Sequence, residues 1–107
     1  MHSKNERIEL SKSEAINVLS EIEYILISLR NIANYYFYSM NNKINNNNLL
    51  AYYKETTRFI DENNVTQRLA DIRHIITEKF DDELGDDDMD DIEREMTKIN
   101  YWEKPGD

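Results

Sequence analysis

Apolar residues recur at every third or fourth position through the first third of the chain. The steps alternate between four and three, and the positions are Ala15, Leu19, Ile22, Leu26, Leu29, Ala33, Tyr36 and Met40. This spacing is typical of one face of an α-helix that packs on other helices. Ser11 and Glu14 precede the run with the spacing of a capping box. The pattern predicts a long first helix over residues 12–40 with this stripe as its buried face, widened to one side by Val18, Ile25 and Ile32.

Three shorter helices are predicted in the rest of the chain. The asparagine-rich residues 41–48 end the first helix, because asparagine bonds its own backbone and tolerates left-handed conformations. Apolar residues at helical spacing then predict helices over 48–62, 65–80 and 88–102. Such a set, joined by short turns, predicts an all-α fold: an irregular antiparallel four-helix bundle with a long first helix.

Polar residues mark the expected starts of the last two helices. Asn64 and Gln67 repeat the capping-box spacing before the third, and Asp86 or Asp87 can cap the fourth. Two glycines and one proline in the whole chain are fewer than the turns of a strand-rich fold need. Composition therefore agrees with a helical fold.

The length of 107 residues predicts one domain over 1–107. Within it we expect a frayed N-terminus over 1–10, an acidic loop over 81–88 and a tail over 103–107. The first ten residues are polar and lack the apolar core of a signal peptide. Cysteine is absent, and the longest apolar region is interrupted by polar residues. These features predict a cytoplasmic protein without membrane association.

Negative charge is concentrated in one segment. Residues 81–95 hold ten acidic side chains and one basic, Arg94, so their net charge of −9 equals that of the entire chain. Such a field repels phosphates and attracts a basic partner. It also suits the positive end of a helix dipole, so a solvated helix start is the plainer reading. The predicted partner-binding acidic patch comprises Asp81, Asp82, Glu83, Asp86, Asp87, Asp88, Asp90 and Asp91.

No metal or cofactor site is predicted. A calcium loop needs carboxylates at its first, third and fifth positions, and aligning Gly85 to its sixth position puts Phe80 first. His74 follows Asp71 with the spacing of a metal-binding helix pair, but that motif occurs once and such centres need it twice. We expect His74 to pair with Asp71 instead.

One segment resembles a known family. Residues 29–38, LRNIANYYFY, are similar to the Arg-Asn-x-x-x-His-x-Tyr signature of the helical HEPN ribonucleases. The resemblance implies an arginine and a histidine acting on an RNA phosphodiester, usually across a dimer. Asn34, Tyr35 or Tyr36 stands where the histidine belongs, which removes the general acid or base. Arg68 and His74 have roughly the other permitted spacing, with Leu69 in place of the usual polar neighbour.

The first helix carries a second apolar stripe, which includes Tyr24, Ile27, Tyr35 and Tyr38. A helix that is apolar most of the way round is enclosed on several sides, either by its own bundle or by a second molecule. Tyrosine suits an interface because it has an apolar body and a polar hydroxyl. The predicted partner or dimer face comprises Tyr24, Ile27, Asn31, Tyr35, Tyr38, Tyr52, Tyr53 and Trp102.

Together these features predict a non-catalytic acidic protein-binding module. Its expected role is to inhibit a basic, nucleic-acid-handling protein, as an immunity protein, an antitoxin or a phage anti-defence protein, by covering a cationic site as a nucleic acid mimic. We expect no catalytic residues and no direct binding of nucleic acid or membrane. The alternatives are a divergent or inactive HEPN-type ribonuclease subunit, and a homodimeric structural or assembly subunit.

Overall fold

The fold is helical. The computed structural model describes residues 2–37 and 46–103, of which no residue lies in a strand, and helix accounts for 68 % of the structure. The predicted all-α class and the long first helix are therefore confirmed. The helices are α1 (Lys12–Phe37), α2 (Asn46–Glu62), α3 (Val65–Thr77) and α4 (Asp91–Met96), preceded by a short 3-10 helix at Ser3–Asn5.

The start of α1 is the capping box that the sequence predicted. The backbone N–H of Glu14 donates to Ser11 Oγ at 3.0 Å, and the backbone N–H of Ser11 donates to Glu14 Oε1 at 2.9 Å. Two backbone donors that the helix leaves unpaired are thereby satisfied. The predicted end of this helix at residue 40 lies outside the described residues.

The predicted cap of α3 by Asn64 and Gln67 is wrong. Gln67 Nε2 instead donates to Asp71 Oδ1 at 2.8 Å, one turn further along the helix. Asn64 has a φ of 52°, the left-handed conformation that commonly ends a helix and that asparagine tolerates. Asn64 therefore terminates α2, and α3 begins at the next residue.

The fourth helix is six residues long, from Asp91 to Met96, and not the fifteen-residue segment 88–102 that the apolar spacing predicted. Its cap is Asp90, whose Oδ1 accepts from the backbone N–H of Glu93 at 2.7 Å, so the predicted capping by Asp86 or Asp87 is also wrong. Asp88 has a φ of 60°, which helical residues do not adopt. The helix α4 therefore cannot include Asp88 and begins only after it.

The chain divides into two compact units. The second unit, residues 11–75, contains α1, α2 and most of α3. Its buried apolar residues are Val18 and Ile25 from α1 with Val65 and Ile72 from α3. Aromatic rings join α1 to α2, with Phe37 and Tyr52 centroids 4.9 Å apart. The bundle and its antiparallel order remain predictions, as does the single domain.

The buried side of α1 is not the stripe that the sequence predicted. Leu19, Ile22 and Leu26 of that stripe are exposed, whereas Val18 and Ile25 beside it are buried. Both positions lie on a helical period and both are apolar, so periodicity alone cannot choose between them. The packing of α2 and α3 selects the Val18 side and leaves an aliphatic strip on α1 uncovered.

The first unit, residues 2–10 and 76–103 of the described chain, is organised around polar groups. Its two buried residues are Asn5 and Asp91, each 5 % exposed. We expected residues 1–10 to be frayed, but the structure places Asn5 in contacts with residues more than seventy positions away. No periodic pattern signals such a polar contact in the sequence.

Candidate acidic interaction site

Arg94 of α4 fixes the shape of the acidic loop that precedes it. Its Nε donates to Asp87 Oδ2 at 2.7 Å and its second terminal nitrogen to Asp87 Oδ1 at 2.9 Å, a paired arrangement that suits a guanidinium and a carboxylate. The same nitrogen donates to the carbonyl oxygen of Met89 at 3.0 Å. The single arginine of the acidic segment therefore closes the turn over residues 87–94.

Gly85 is required by this closure. A Cβ atom built at Gly85 would lie 2.5 Å from a terminal nitrogen of Arg94 and 3.2 Å from Asp87 Oδ1. Real Cβ atoms do not approach other atoms so closely, and the guanidinium is already held by Asp87 and Met89. Any larger residue at position 85 would displace the arginine from the loop.

Asp91 is the centre of the first unit. Its Oδ2 accepts from Asn5 Nδ2 and from the backbone N–H of His2, and its Oδ1 accepts from Arg94, all at 2.7 Å. Asn5 also bonds both backbone groups of Asp81, donating to its carbonyl oxygen at 3.0 Å and accepting from its N–H at 2.7 Å. Hydrogen bonds thus connect the start of the chain to the acidic loop and to α4.

The pKa values of the aspartates reflect these bonds. The hydrogen bond from Asn5, together with those from His2 and Arg94, lowers the pKa of Asp91 to about 2. Bonds from Arg94 and the Met89 N–H hold the pKa of Asp87 well below its usual 3.8. The backbone N–H of Glu83 and the nearby His2 and Lys4 lower the pKa of Asp81. These carboxylates therefore remain ionised where ordinary aspartates begin to protonate.

The predicted acidic patch separates into two groups. Asp87, Asp90 and Asp91 bond within the loop and α4, and Asp81 bonds Glu83 and Asn5. Glu83 pairs with His2, whereas, within residues 2–37 and 46–103, the side chains of Asp82, Asp86 and Asp88 are exposed and make no ion pair or hydrogen bond.

His2, Asp81 and Glu83 form the one group of potential metal ligands among the described residues, with ligand atoms within 4.8 Å of one another. His2 Nε2 and Glu83 Oε2 are 2.7 Å apart. The Nζ of Lys4 lies 3.7 Å from Asp81 Oδ2. One carboxylate of this group therefore already has a cationic neighbour within the first unit.

No protein-family model, curated protein or solved structure matches this chain. No helix within the described ranges is both long and apolar enough to cross a membrane.

The aromatic face predicted on α1 is divided between internal and exposed residues. The hydroxyl of Tyr24 donates to Asn63 Oδ1 at 2.9 Å, and its ring lies 5.8 Å from that of Phe59. Tyr52 contacts Tyr36 and Phe37 at the end of α1. Tyr38 lies outside the described residues. Tyr24 itself is still 39 % exposed. The other exposed members of the predicted face are Ile27, Asn31, Tyr35, Tyr53 and Trp102, the last 89 % exposed in the first unit.

The arginines of the HEPN-like resemblance have different surroundings. Arg30 and Asn31 are exposed on α1. Arg68 donates to Glu21 Oε2 at 2.9 Å and to the carbonyl oxygen of Asn63 at 2.9 Å, and its guanidinium lies 4.6 Å from the ring centroid of Tyr24. Arg68 thus links α3 to α1 through an ion pair and a cation–π contact.

Proposed function

We propose that this protein is a non-catalytic acidic module that binds a basic protein through the loop between α3 and α4. The observation that carries the proposal is the division of the acidic residues. Arg94, the only basic side chain of the segment, forms ion pairs with Asp87 and Asp91. The exposed acids Asp82 and Asp86 therefore present charge that no cation among the described residues neutralises.

The loop is also held in a defined shape. Arg94 closes the turn, and Asn5 and Asp91 connect it to the start of the chain. Carboxylates fixed in advance cost less conformational entropy on binding than carboxylates on a flexible tail. A fixed array of negative charges speeds association with a basic surface and excludes acidic competitors, including nucleic acids.

The biological role that follows is inhibition of a nucleic-acid-handling protein. A cationic site that binds phosphates would accept the exposed carboxylates in their place, so the inhibitor and the nucleic acid would compete. An immunity protein, an antitoxin or a phage anti-defence protein would work in this way, in the cytoplasm.

A pull-down from the native host with the full chain tests the proposal. The informative variant combines three substitutions, Asp82→Asn, Asp86→Asn and Asp88→Asn. Together they remove three exposed charges and keep the size of each side chain. Asparagine also tolerates the positive φ at position 88. We expect the unmodified chain to recover a basic protein and the triple variant to recover much less of it.

The control removes three acidic charges from the other unit, with Asp61→Asn, Glu62→Gln and Asp71→Asn. All three positions are exposed on α2 and α3, so both variants change the net charge equally. The proposal requires this control to retain the partner. Equal losses for both variants would show that only total charge matters, and recovery of no basic protein would refute the proposal.

A further inference from the structure

The aliphatic strip that α1 leaves uncovered is long and continuous. It comprises Ile16, Leu19, Ile22 and Leu26, which are between 40 % and 56 % exposed, continued by the half-buried Leu29 and Ala33. Monomeric proteins rarely expose apolar patches of this extent along one helix. The strip shares no residue with the predicted partner or dimer face or with the acidic loop. The molecule that covers it is therefore inferred separately.

The residues of the strip recur in the pattern of a coiled-coil seam. From Leu19 to Ala33 the steps are three, four, three and four, which places every member on one line of a supercoiled helix. The neighbouring positions Val18 and Ile25 are buried within the unit. The opposite edge of the strip, occupied by Glu23 and Arg30, faces solvent.

Glu23 and Arg30 indicate what the strip binds. They lie seven residues apart on the same edge, carry opposite charges and make no ion pair among the described residues. In an antiparallel pair of identical helices, a two-fold axis near residue 27 brings Glu23 of each copy opposite Arg30 of the other. The dimer then contains two such ion pairs, which are related by symmetry.

The apolar positions agree with the same register. When Glu23 faces Arg30, Leu26 faces Leu29 of the second copy and Ile22 faces Ala33. A large residue opposite a small one lets the helices approach closely. In a parallel pair, the edge of Glu23 would face Val18 or Ile25 of the second copy, which are buried, and both charges would remain unpaired.

We infer that the chain forms a homodimer in which the α1 helices of two copies pack antiparallel through the Leu19–Ala33 strip, with reciprocal Glu23–Arg30 ion pairs. This inference does not depend on the acidic loop or its partner. The dimer presents two acidic loops, which would raise the apparent affinity for a partner with two basic sites.

Sedimentation equilibrium of the full chain, from about 1 µM to about 1 mM, tests the inference. We expect a monomer–dimer equilibrium. Leu19→Glu should raise the dissociation constant at least about tenfold, because a carboxylate would be buried in the seam. The control is Leu50→Glu on α2, since Leu19 and Leu50 are both helical leucines with 56 % exposure. A monomer at every concentration, or a dimer that both leucine variants weaken equally, would overturn the inference.

The register has its own test. Glu23→Arg and Arg30→Glu should each weaken the dimer, and the double variant should restore it, because the pairs are reciprocal.

The chain has no cysteine, so a mixture of Ile22→Cys and Ala33→Cys chains should form a disulfide between unlike chains under mild oxidation. Ala15→Cys alone should not crosslink, since antiparallel packing separates the two copies of residue 15. Efficient crosslinking at Ala15, or a double charge variant that stays weak, would contradict the antiparallel seam.

Discussion

Carboxylates of the same chemical type have different roles here because their surroundings differ. Asp91 accepts hydrogen bonds from Asn5, His2 and Arg94 and is buried, whereas Asp82 is exposed and makes no such bond among the described residues. Composition counts the two as equal. Only the contacts show that Asp91 connects the parts of the first unit and that Asp82 remains exposed.

At the scale of one residue, the hydroxyl group of Thr56 is predicted to lower the stability of the fold. Its hydroxyl oxygen is buried and has no hydrogen-bond partner among the described residues. Thr56→Val keeps the shape and removes the unsatisfied group, so we expect it to stabilise the fold by about 1 kcal/mol in thermal or urea unfolding. The matched control, Thr57→Val at an exposed position of α2, should change stability by less than about 0.5 kcal/mol. Destabilisation by Thr56→Val would mean that the hydroxyl has a partner.

At the scale of the element, α1 shows what an amphipathic pattern can and cannot determine. The capping box at Ser11 and a long first helix follow from local rules, and the structure has both. The buried side follows from the packing of α2 and α3, which no pattern within α1 records. Val18 and Ile25 were predicted only to widen the stripe, yet they form its buried centre.

Ile25 and Leu26 test this reassignment directly, since they are adjacent isomers and alanine removes the same number of carbon atoms from each. Ile25→Ala should cost about 2–4 kcal/mol, because it empties a buried site. Leu26→Ala should cost less than about 1 kcal/mol when measured at a concentration where the chain is monomeric. If Leu26→Ala were the more costly change under those conditions, the originally predicted stripe would be the true core.

Local sequence patterns do not record tertiary contacts, and this explains the other differences between prediction and structure. The concentration of acidic residues over 81–95 follows from the sequence alone. The segment between α3 and α4 covers residues 78–90, which is longer than the predicted acidic loop over 81–88. The short α4 was missed because Met89 and Ile99 continue the helical spacing of Ile92 and Met96 beyond both ends of the helix. The contacts of Asn5 with Asp81 and Asp91 were missed because polar pairs distant in sequence have no period.

At the scale of the whole molecule, charge and apolar burial are separated. The buried apolar residues of the described chain all lie in the 11–75 unit, and the acidic loop lies in the other, whose buried residues are polar. A unit organised by ionised carboxylates depends on pH, and this dependence can be predicted in sign. The folded pKa of Asp91 is depressed to about 2 from 3.8, so its stabilising effect is present above pH 4 and lost as the pH falls towards 2.

The pH dependence can be isolated with Asp91→Asn, which keeps the acceptor for Asn5 and removes the charge that Arg94 binds. The melting temperature of the unmodified chain should exceed that of the variant by a constant amount above about pH 5. The difference should then shrink as the pH is lowered from about 4 to about 2. The exposed Asp82→Asn should show little difference at any pH. If the difference in melting temperature between the unmodified chain and Asp91→Asn were unchanged at about pH 2, the charge of Asp91 would not be the cause of the difference.

The salt dependence of partner binding tests the central claim most directly. The dissociation constant of the captured basic protein would be measured between about 50 mM and about 300 mM salt, a range over which the screening length falls to about 40 % of its starting value. For the unmodified chain we predict affinity that decreases steeply with salt, and for the Asp82, Asp86 and Asp88 asparagine variant a weaker affinity with a shallower slope. An affinity indifferent to salt, or a slope that the three substitutions leave unchanged, would contradict binding through the acidic loop.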